Sequence, residues 1–375
     1  MNRGFYLTLM MGGFNASPVP QTVMDALTEV QVNSSAGAQG GFQLKFTWGK
    51  NAALAQLHAS GFFDPRQRVI IAVTVNGQSE VLMDGIITKQ DLSPSHQAGK
   101  STLSLTGLDL TALMDFIDLT GIPYPALPTF VIVEMILAKY AVLGVIPIAI
   151  PPILALISNP LEKIPKQVGT DYAYVKSLAS KTGAMFHLDP GPKPGMSTAY
   201  WGPDLSKIFA GVQPALSINL DASSNLDSMS FSYDGSLATN YLVTFIEPNT
   251  KIPIPVPLPS LDLIRMAYAA NAPTPLKYEQ LTPAASEDPI GTALAALGKM
   301  FDDPDVVTGS GQLDVLRYGQ VFKVRQIAAV RGAGTYFDGK YYVKSVTHNI
   351  KRGEYKQSFT LARGGLGSTV STVSV

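Results

Sequence analysis

Asp338-Gly339-Lys340-Tyr341-Tyr342-Val343-Lys344-Ser345-Val346-Thr347-His348, then Gly353-Glu354-Tyr355, then Phe359-Thr360-Leu361-Ala362-Arg363, is the stretch whose reading decides the fold. Tyr342, Lys344, Val346, His348 and Ile350 fall on one side of an extended chain, with Tyr341, Val343, Ser345, Thr347 and Asn349 on the other. That two-residue period, rich in β-branched and aromatic side chains, specifies a strand. Lys351-Arg352-Gly353-Glu354 supplies a turn with a glycine for a positive φ, and Tyr355, Gln357, Phe359 and Leu361 resume the alternation as a return strand. The unit is an antiparallel hairpin.

Working outward, residues 5–110 also read as strands, at 29–33, 42–48, 69–75, 81–88 and 101–106, separated by turn signals such as Ala36-Gly37 and Asn76-Gly77. This spacing predicts an antiparallel barrel or sandwich, with a short helix at 51–57. The apolar run 5–11 reads as its first strand; Tyr6 and Thr8 break it as a signal peptide. Periodicity turns helical at 130–140 and at 170–179, the second opened by a cap at Thr170 or Asp171, and 183–188 reads as a strand. Strands return at 216–220, 226–233 and 241–245 and are expected to join the hairpins after Val315. Between them, Pro253, Pro255, Pro257 and Pro259 remove alternate N–H donors, which predicts polyproline or an edge strand, serving as a rigid connector or a docking strap. Helices are expected near 261–270 and 290–300.

The chain has 375 residues, equal numbers of acidic and basic side chains, and no cysteine. Zero net charge and the lack of a basic run argue against nucleic-acid readout. The lack of cysteine excludes disulfides, Cys-based zinc sites and Cys–His catalysis. Charged residues make up 15% and hydrophobic ones 46%, so subunit interfaces or a membrane are expected to cover part of the surface. Residues 141–157 form an uncharged run, but Pro147, Pro151 and Pro152 interrupt it and a spanning helix needs about twenty residues. A buried insert or subunit-contact loop is the favoured reading; a membrane-associated or pore-forming accessory protein is the alternative.

His58, His96, His187 and His348 include no helical i, i+4 metal pair, and His187 and His348 read as structural strand histidines. Asp302-Asp303 with Asp305, and Glu287-Asp288, read as solvated loop acids without a calcium-loop pattern. Gly332-Ala333-Gly334 reads as a loop tip rather than a phosphate cradle, and no Gly-x-Ser-x-Gly elbow occurs. No catalytic, cofactor-binding or metal-ligating residue is assigned and no cofactor is expected. The chain is expected not to be an enzyme; a cell-wall hydrolase is the weaker alternative.

The order of parts is more telling. A Gly-Gln strand opener at Gly319, the Phe337-Asp338-Gly339 turn, the Tyr-Val strand ending at His348 and the Tyr-x-x-x-Phe-x-Leu-x-Arg strand from Tyr355 to Arg363 together resemble the late-control protein D family. Those are baseplate hub proteins of contractile phage tails, related to the base of VgrG and to hubs of contractile injection systems. The helix beginning at Thr170 and its following strand resemble the family's middle domain. The resemblance implies an α+β, mainly β fold, with two tube-like antiparallel β-barrel domains flanking a smaller mixed α/β domain. The expected boundaries are 1–115 for the first barrel, 116–212 for the middle domain with an apolar Pro-containing insert at 141–157, and 213–367 for the second barrel. That barrel would carry a Pro-rich and helical insert at 248–311, and a short tail would occupy 368–375. The implied role is a homotrimeric ring between a hexameric inner tube and a trimeric central spike, with other baseplate proteins around it. The short tail implies that the spike is a separate protein. Such a hub would assemble in the bacterial cytoplasm, as part of a particle that can later be released.

Overall fold

The computed structural model describes the chain apart from residues 1–3, 50–51, 98–100, 126, 152–163, 205–210, 221–223, 247–249, 251–252, 258–267, 272, 282–304 and 370–375. The first module contains β1 (Phe5–Gly12), β2 (Ser17–Pro18), β3 (Leu27–Ser35), β4 (Gly41–Trp48), β5 (Arg68–Val75), β6 (Gln78–Ser93) and β7 (Ser101–Asp109). They lie in the order β3-β4-β7-β6-β5-β1-β2, each antiparallel to its neighbours. The apolar run near the amino terminus is a strand, as its interrupted hydrophobicity predicts; β1 pairs with β5 along its whole length. Two helices accompany these strands, α1 (Gln21–Ala26) and α2 (Ala52–Ala59).

The middle of the chain holds a 3-10 turn (Leu110–Asp115), α3 (Thr129–Ala138), β8 (Val145–Ala149), α4 (Asp171–Thr182), β9 (Met185–Pro190) and β10 (Ser197–Gly202). The Thr170 hydroxyl caps α4 by accepting from Ala173 N, and Gly183 ends it at φ +63. In the small sheet, β10 pairs antiparallel with β9 and parallel with β8. Ile132, Val133, Ile136 and Leu137 of α3 pack with Val175, Leu178 and Trp201 in one core, which also takes in Leu110 and Met114. The described part of the apolar run is a 3-10 turn (Ala141–Leu143) followed by β8, whose edge position tolerates Pro147. Residues 152–157 of it lie outside the described part. Among the described residues no helix is long and apolar enough to cross a membrane.

The remaining strands are β11 (Val212–Ser217), β12 (Leu226–Tyr233), β13 (Thr239–Ile246), β14 (Pro253–Pro257), β15 (Lys277–Leu281), β16 (Val307–Asp314), β17 (Ile327–Arg331), β18 (Gly339–Lys351) and β19 (Glu354–Arg363). The described part of the Pro-x repeat takes the edge-strand form, one of the two that alternate missing donors allow: among the described residues β14 pairs with β13 and no other strand. Three expectations are corrected. β13 does not join the carboxy-terminal hairpins but forms a separate sheet with β14 and β15. β16 begins at Val307, inside the stretch expected to be insert. The Gly-Gln segment opens no strand: the helical turn Val315–Tyr318 ends at Gly319 with φ +95, and residues 319–326 form an ordered loop. The helix expected at 290–300, and residues 261–267 of the other, fall outside the described part.

The opening hairpin exists, with Arg352-Gly353 as its connection and Gly353 at φ +77. Its faces differ from a strict two-residue period. A bulge between Val343 and Ser345 shifts the phase, so Tyr341 and Val343 share the core with Val346 and Ile350, while Tyr342 packs elsewhere and Lys344 is exposed.

Strand for strand, β12-β16-β19-β18-β17 repeats β3-β4-β7-β6-β5. The irregularities repeat as well. β3·β4 slips between Leu27 and Glu29, and β12·β16 between Leu226 and Ser228. β6·β7 slips between Ile87 and Lys89, and β18·β19 between Val343 and Ser345. Arg66 and Arg325 have positive φ values, 76 and 60, and donate their N–H to Ile87 O and Val343 O at 2.7 and 2.9 Å. One strand departs from the pattern: β11 runs parallel to β17, whereas β1 is antiparallel to β5. The two modules are fused rather than separate. β3 pairs with β18 from Glu29↔Lys351 to Ser35↔Ser345, giving one sheet of 13 strands over a shared core.

Candidate functional site

The loop at 319–326 lies where both β modules meet the middle domain. Two buried glutamine side chains hold it like short ladder segments. Phe322 N donates to Gln357 Oε1 at 2.9 Å, and Gln357 Nε2 donates to Phe322 O at 2.8 Å. Lys323 N donates to Gln213 Oε1 at 2.7 Å, and Gln213 Nε2 donates to Lys323 O at 2.9 Å. A buried main chain needs such partners, and these amides let the loop drive Phe322 wholly into the core without a strand beside it.

Beyond Phe322, the loop ties the units together. Lys323 Nζ reaches Glu80 Oε1 of β6 at 2.6 Å. The Arg325 guanidinium pairs with Asp189 of β9 and donates from Nη1 to Ser35 O of β3 at 3.2 Å. A second buried cation fixes the other side of the middle domain: Arg68 meets Asp84 through Nε–Oδ1 at 2.8 Å and Nη2–Oδ2 at 2.7 Å. The same Nη2 donates to Leu143 O at 2.8 Å, so β5 anchors the turn preceding β8. Burial lifts the Asp84 carboxyl above its ordinary value, against the pull of Arg68.

The loop contacts border a half-open pocket of about 470 Å³ lined by Val81, Leu82, Met185, His187, Tyr200, Val321, Arg325 and His348, among others. Both histidines are neutral near pH 7. Burial pushes His348 down to about 3; burial and then the Arg325 charge push His187 to about 3. His348 Nδ1 lies 2.8 Å from Tyr355 Oη and 3.2 Å from Gln357 Nε2, which places it behind the same amide that clamps Phe322. His187 Nε2 faces Asp189 Oδ2 at 3.2 Å, its ring lies 5.1 Å from that of Tyr200, and its Nδ1 is buried without a hydrogen-bond partner among the described residues. The polar groups mainly engage one another or the main chain, which is the chemistry of a joint.

The remaining candidates are dispersed. His58 packs edge-on against Trp48, and His96 is exposed. Asp302, Asp303, Glu287 and Asp288 lie outside the described part, and among the described residues no group of three His, Asp or Glu could hold a metal ion. Gly332-Ala333-Gly334 is a loop tip, tied by Ala333 N to Asp338 Oδ1 at 2.7 Å. Arg363 is buried, donates to Gly365 O, Asp338 O and Tyr336 O at 2.8, 3.0 and 2.8 Å, and lies 4.4 Å over the Tyr341 ring. Sequence reasoning missed Gln213, Gln357 and Arg325. Gln357 carried a signal: it is a polar residue in phase with the apolar Tyr355, Phe359 and Leu361.

No family model and no curated protein matches this chain. Solved structures do. A tail protein from Neisseria meningitidis MC58 is 12% identical with a TM-score of 0.61, over 97% of this chain and 98% of that one. The 43 kDa tail protein of prophage MuSo2 from Shewanella oneidensis is 14% identical with a TM-score of 0.59, over 96% and 98%. A chain of the Francisella PdpA-VgrG complex is 10% identical with a TM-score of 0.59, and this chain spans 99% of itself but 60% of that longer chain. The mainly β architecture of this chain is thus shared with solved phage tail proteins and with a chain of a VgrG complex.

Proposed function

We propose that this chain is a structural hub at the base of a contractile phage tail or contractile injection system. It forms a trimeric ring that joins a hexameric inner tube to a trimeric spike. The observation that carries this reading is the register-for-register repeat of five strands in one chain. Three copies would present six similar β modules under threefold symmetry, so one face can meet six tube subunits while the other meets three spike subunits. Likeness to tail proteins over nearly the whole chain supports the setting. The low share of charged residues, 15%, suits subunit contacts.

In this role the chain works by geometry rather than turnover, within a particle assembled in the bacterial cytoplasm. On this reading the 319–326 joint, which ties β6, β9 and β3 together, would help transmit load between tube and spike. The test is electron microscopy of the purified chain mixed with a candidate inner-tube protein of a contractile tail. Threefold rings with six similar lobes, capped by tube hexamers, are expected. A chain that forms no ring and binds no tube would end the proposal.

A further inference from the structure

We infer that a second copy of this chain docks by strand addition, with β12 of one copy pairing antiparallel with the distal half of β6 in the next. The ring this builds rests on the hub reading above; the pairing itself rests on the internal repeat. Within the chain, β3 is held by the distal half of β18, beyond the part of β18 that pairs with β17. The counterpart of β3 is β12, which has β16 on one side and no strand on the other among the described residues. The counterpart of β18 is β6, which leaves β5 at Ile86 yet continues beside β7 to Ser93. Each chain therefore carries one completed junction and, at separate places, both halves of an unmade one. An open edge of eight residues is a liability that a partner strand removes.

Carrying the register across gives the contact in residues. The ladders match Glu29 with Ser228 and Ser345 with Lys89. The pair Ser345↔Ser35 then becomes Lys89↔Asp234, His348↔Val32 becomes Leu92↔Phe231, and Asn349↔Gln31 becomes Ser93↔Ser230. The chemistry agrees. Lys89, whose ion pair with Asp91 is exposed, would face the Asp234 carboxylate. Leu92, 44% exposed, would cover Phe231, and Tyr233, 43% exposed, would cover Gln90, whose buried Oε1 has no partner among the described residues. Arg325 reaches the Ser35 carbonyl; its counterpart Arg66 would reach that of Asp234 in the next copy. The two edges differ, so the contact is head-to-tail and builds rings or open arrays.

The natural chain has no cysteine, so disulfide trapping reads this contact directly. In the completed junction Ala36 N donates to Lys344 O, which makes Asn349↔Gln31 a non-hydrogen-bonded pair with close side chains. Its counterparts Ser93 and Ser230 are both exposed. Ser93→Cys or Ser230→Cys alone is expected to give no disulfide dimer under mild oxidation, whereas a mixture of the two gives dimers and the double variant gives a ladder ending in a closed ring. Ser93→Cys mixed with Ser228→Cys, two residues out of register, should yield about tenfold less, because the sulfurs are held beyond bridging distance. An oligomeric wild type whose mixed variants do not cross-link overturns the edge pairing and leaves the hub reading standing. Self-linking of Ser93→Cys also overturns it, since that requires a symmetric contact. A wild type monomeric at every concentration overturns both.

Discussion

The two buried histidines make the stability of this chain depend on pH in a calculable way. His348 and His187 both fall from 6.5 to about 3 on folding, chiefly through burial. The unfolded chain therefore binds more protons, so their contribution is complete above pH 6.5 and is lost as pH falls from there toward 3. At pH 5 each is almost fully protonated unfolded and neutral folded, which costs roughly 2 kcal/mol per histidine relative to pH 8. That figure hardly changes while the folded value stays well below 5. Protonating His348 would also turn its Nδ1 from acceptor to donor against Gln357 Nε2, loosening the amide that holds Phe322. The assay is urea unfolding of wild type and His348→Gln at pH 8 and pH 5. The wild type is expected to lose about 2 kcal/mol more than the variant over this interval. Asp84 and Asp109, lifted by burial, change stability in the opposite direction, but they are common to both proteins and cancel in the difference. Equal losses in the two proteins would refute the argument for His348, and the same comparison with His187→Gln tests the other ring.

Other consequences concern the joint and the backbone. Gln357→Leu leaves the Phe322 N–H and carbonyl buried without partners and should cost about 2–4 kcal/mol in chemical denaturation; a loss under 1 kcal/mol would mean the loop finds other partners. Arg325→Met removes the charged bonds to Asp189 and Ser35 O, so amide exchange in β9 and at Ala36 should rise about tenfold or more while β4 and β7 stay protected. Unchanged exchange in β9 would show that the middle domain is held without this cation. Gly107→Ala puts a methyl 2.2 Å from both Ile86 O and the Phe42 ring, and should destabilise by about 3 kcal/mol or more. Gly353→Ala, with open space but φ +77, should cost only about 1 kcal/mol; the reverse ranking in thermal melts would contradict the packing described.

Much of the fold was legible locally. The strands near 29–33, 42–48, 69–75 and 101–106 and the capped helix at Thr170 all follow from short-range pattern. The phase of β18 was not, because a bulge adds one residue whose presence depends on the partner strand, and Lys344 shifts every later side chain to the opposite face. The 319–324 segment looked like a strand since Val321, Phe322 and Val324 are apolar. Its real partners are two glutamine amides 110 and 35 residues away, a pairing no local pattern encodes. Arg325 and Asp189 form the cation–carboxylate link of the joint across 136 positions.

By itself the sequence determined the mainly β class and the extended backbone of the Pro-x repeat. These follow from side-chain periodicity and missing donors, both short-range properties. Only the tertiary structure decided that the two β modules share one sheet and repeat each other down to their bulges. That repeat survives in hydrogen-bond register rather than in residue identity: Glu29 corresponds to Ser228 and Lys89 to Ser345. Ladder geometry constrains where the backbone may bond and which face is buried, and many different side chains satisfy both.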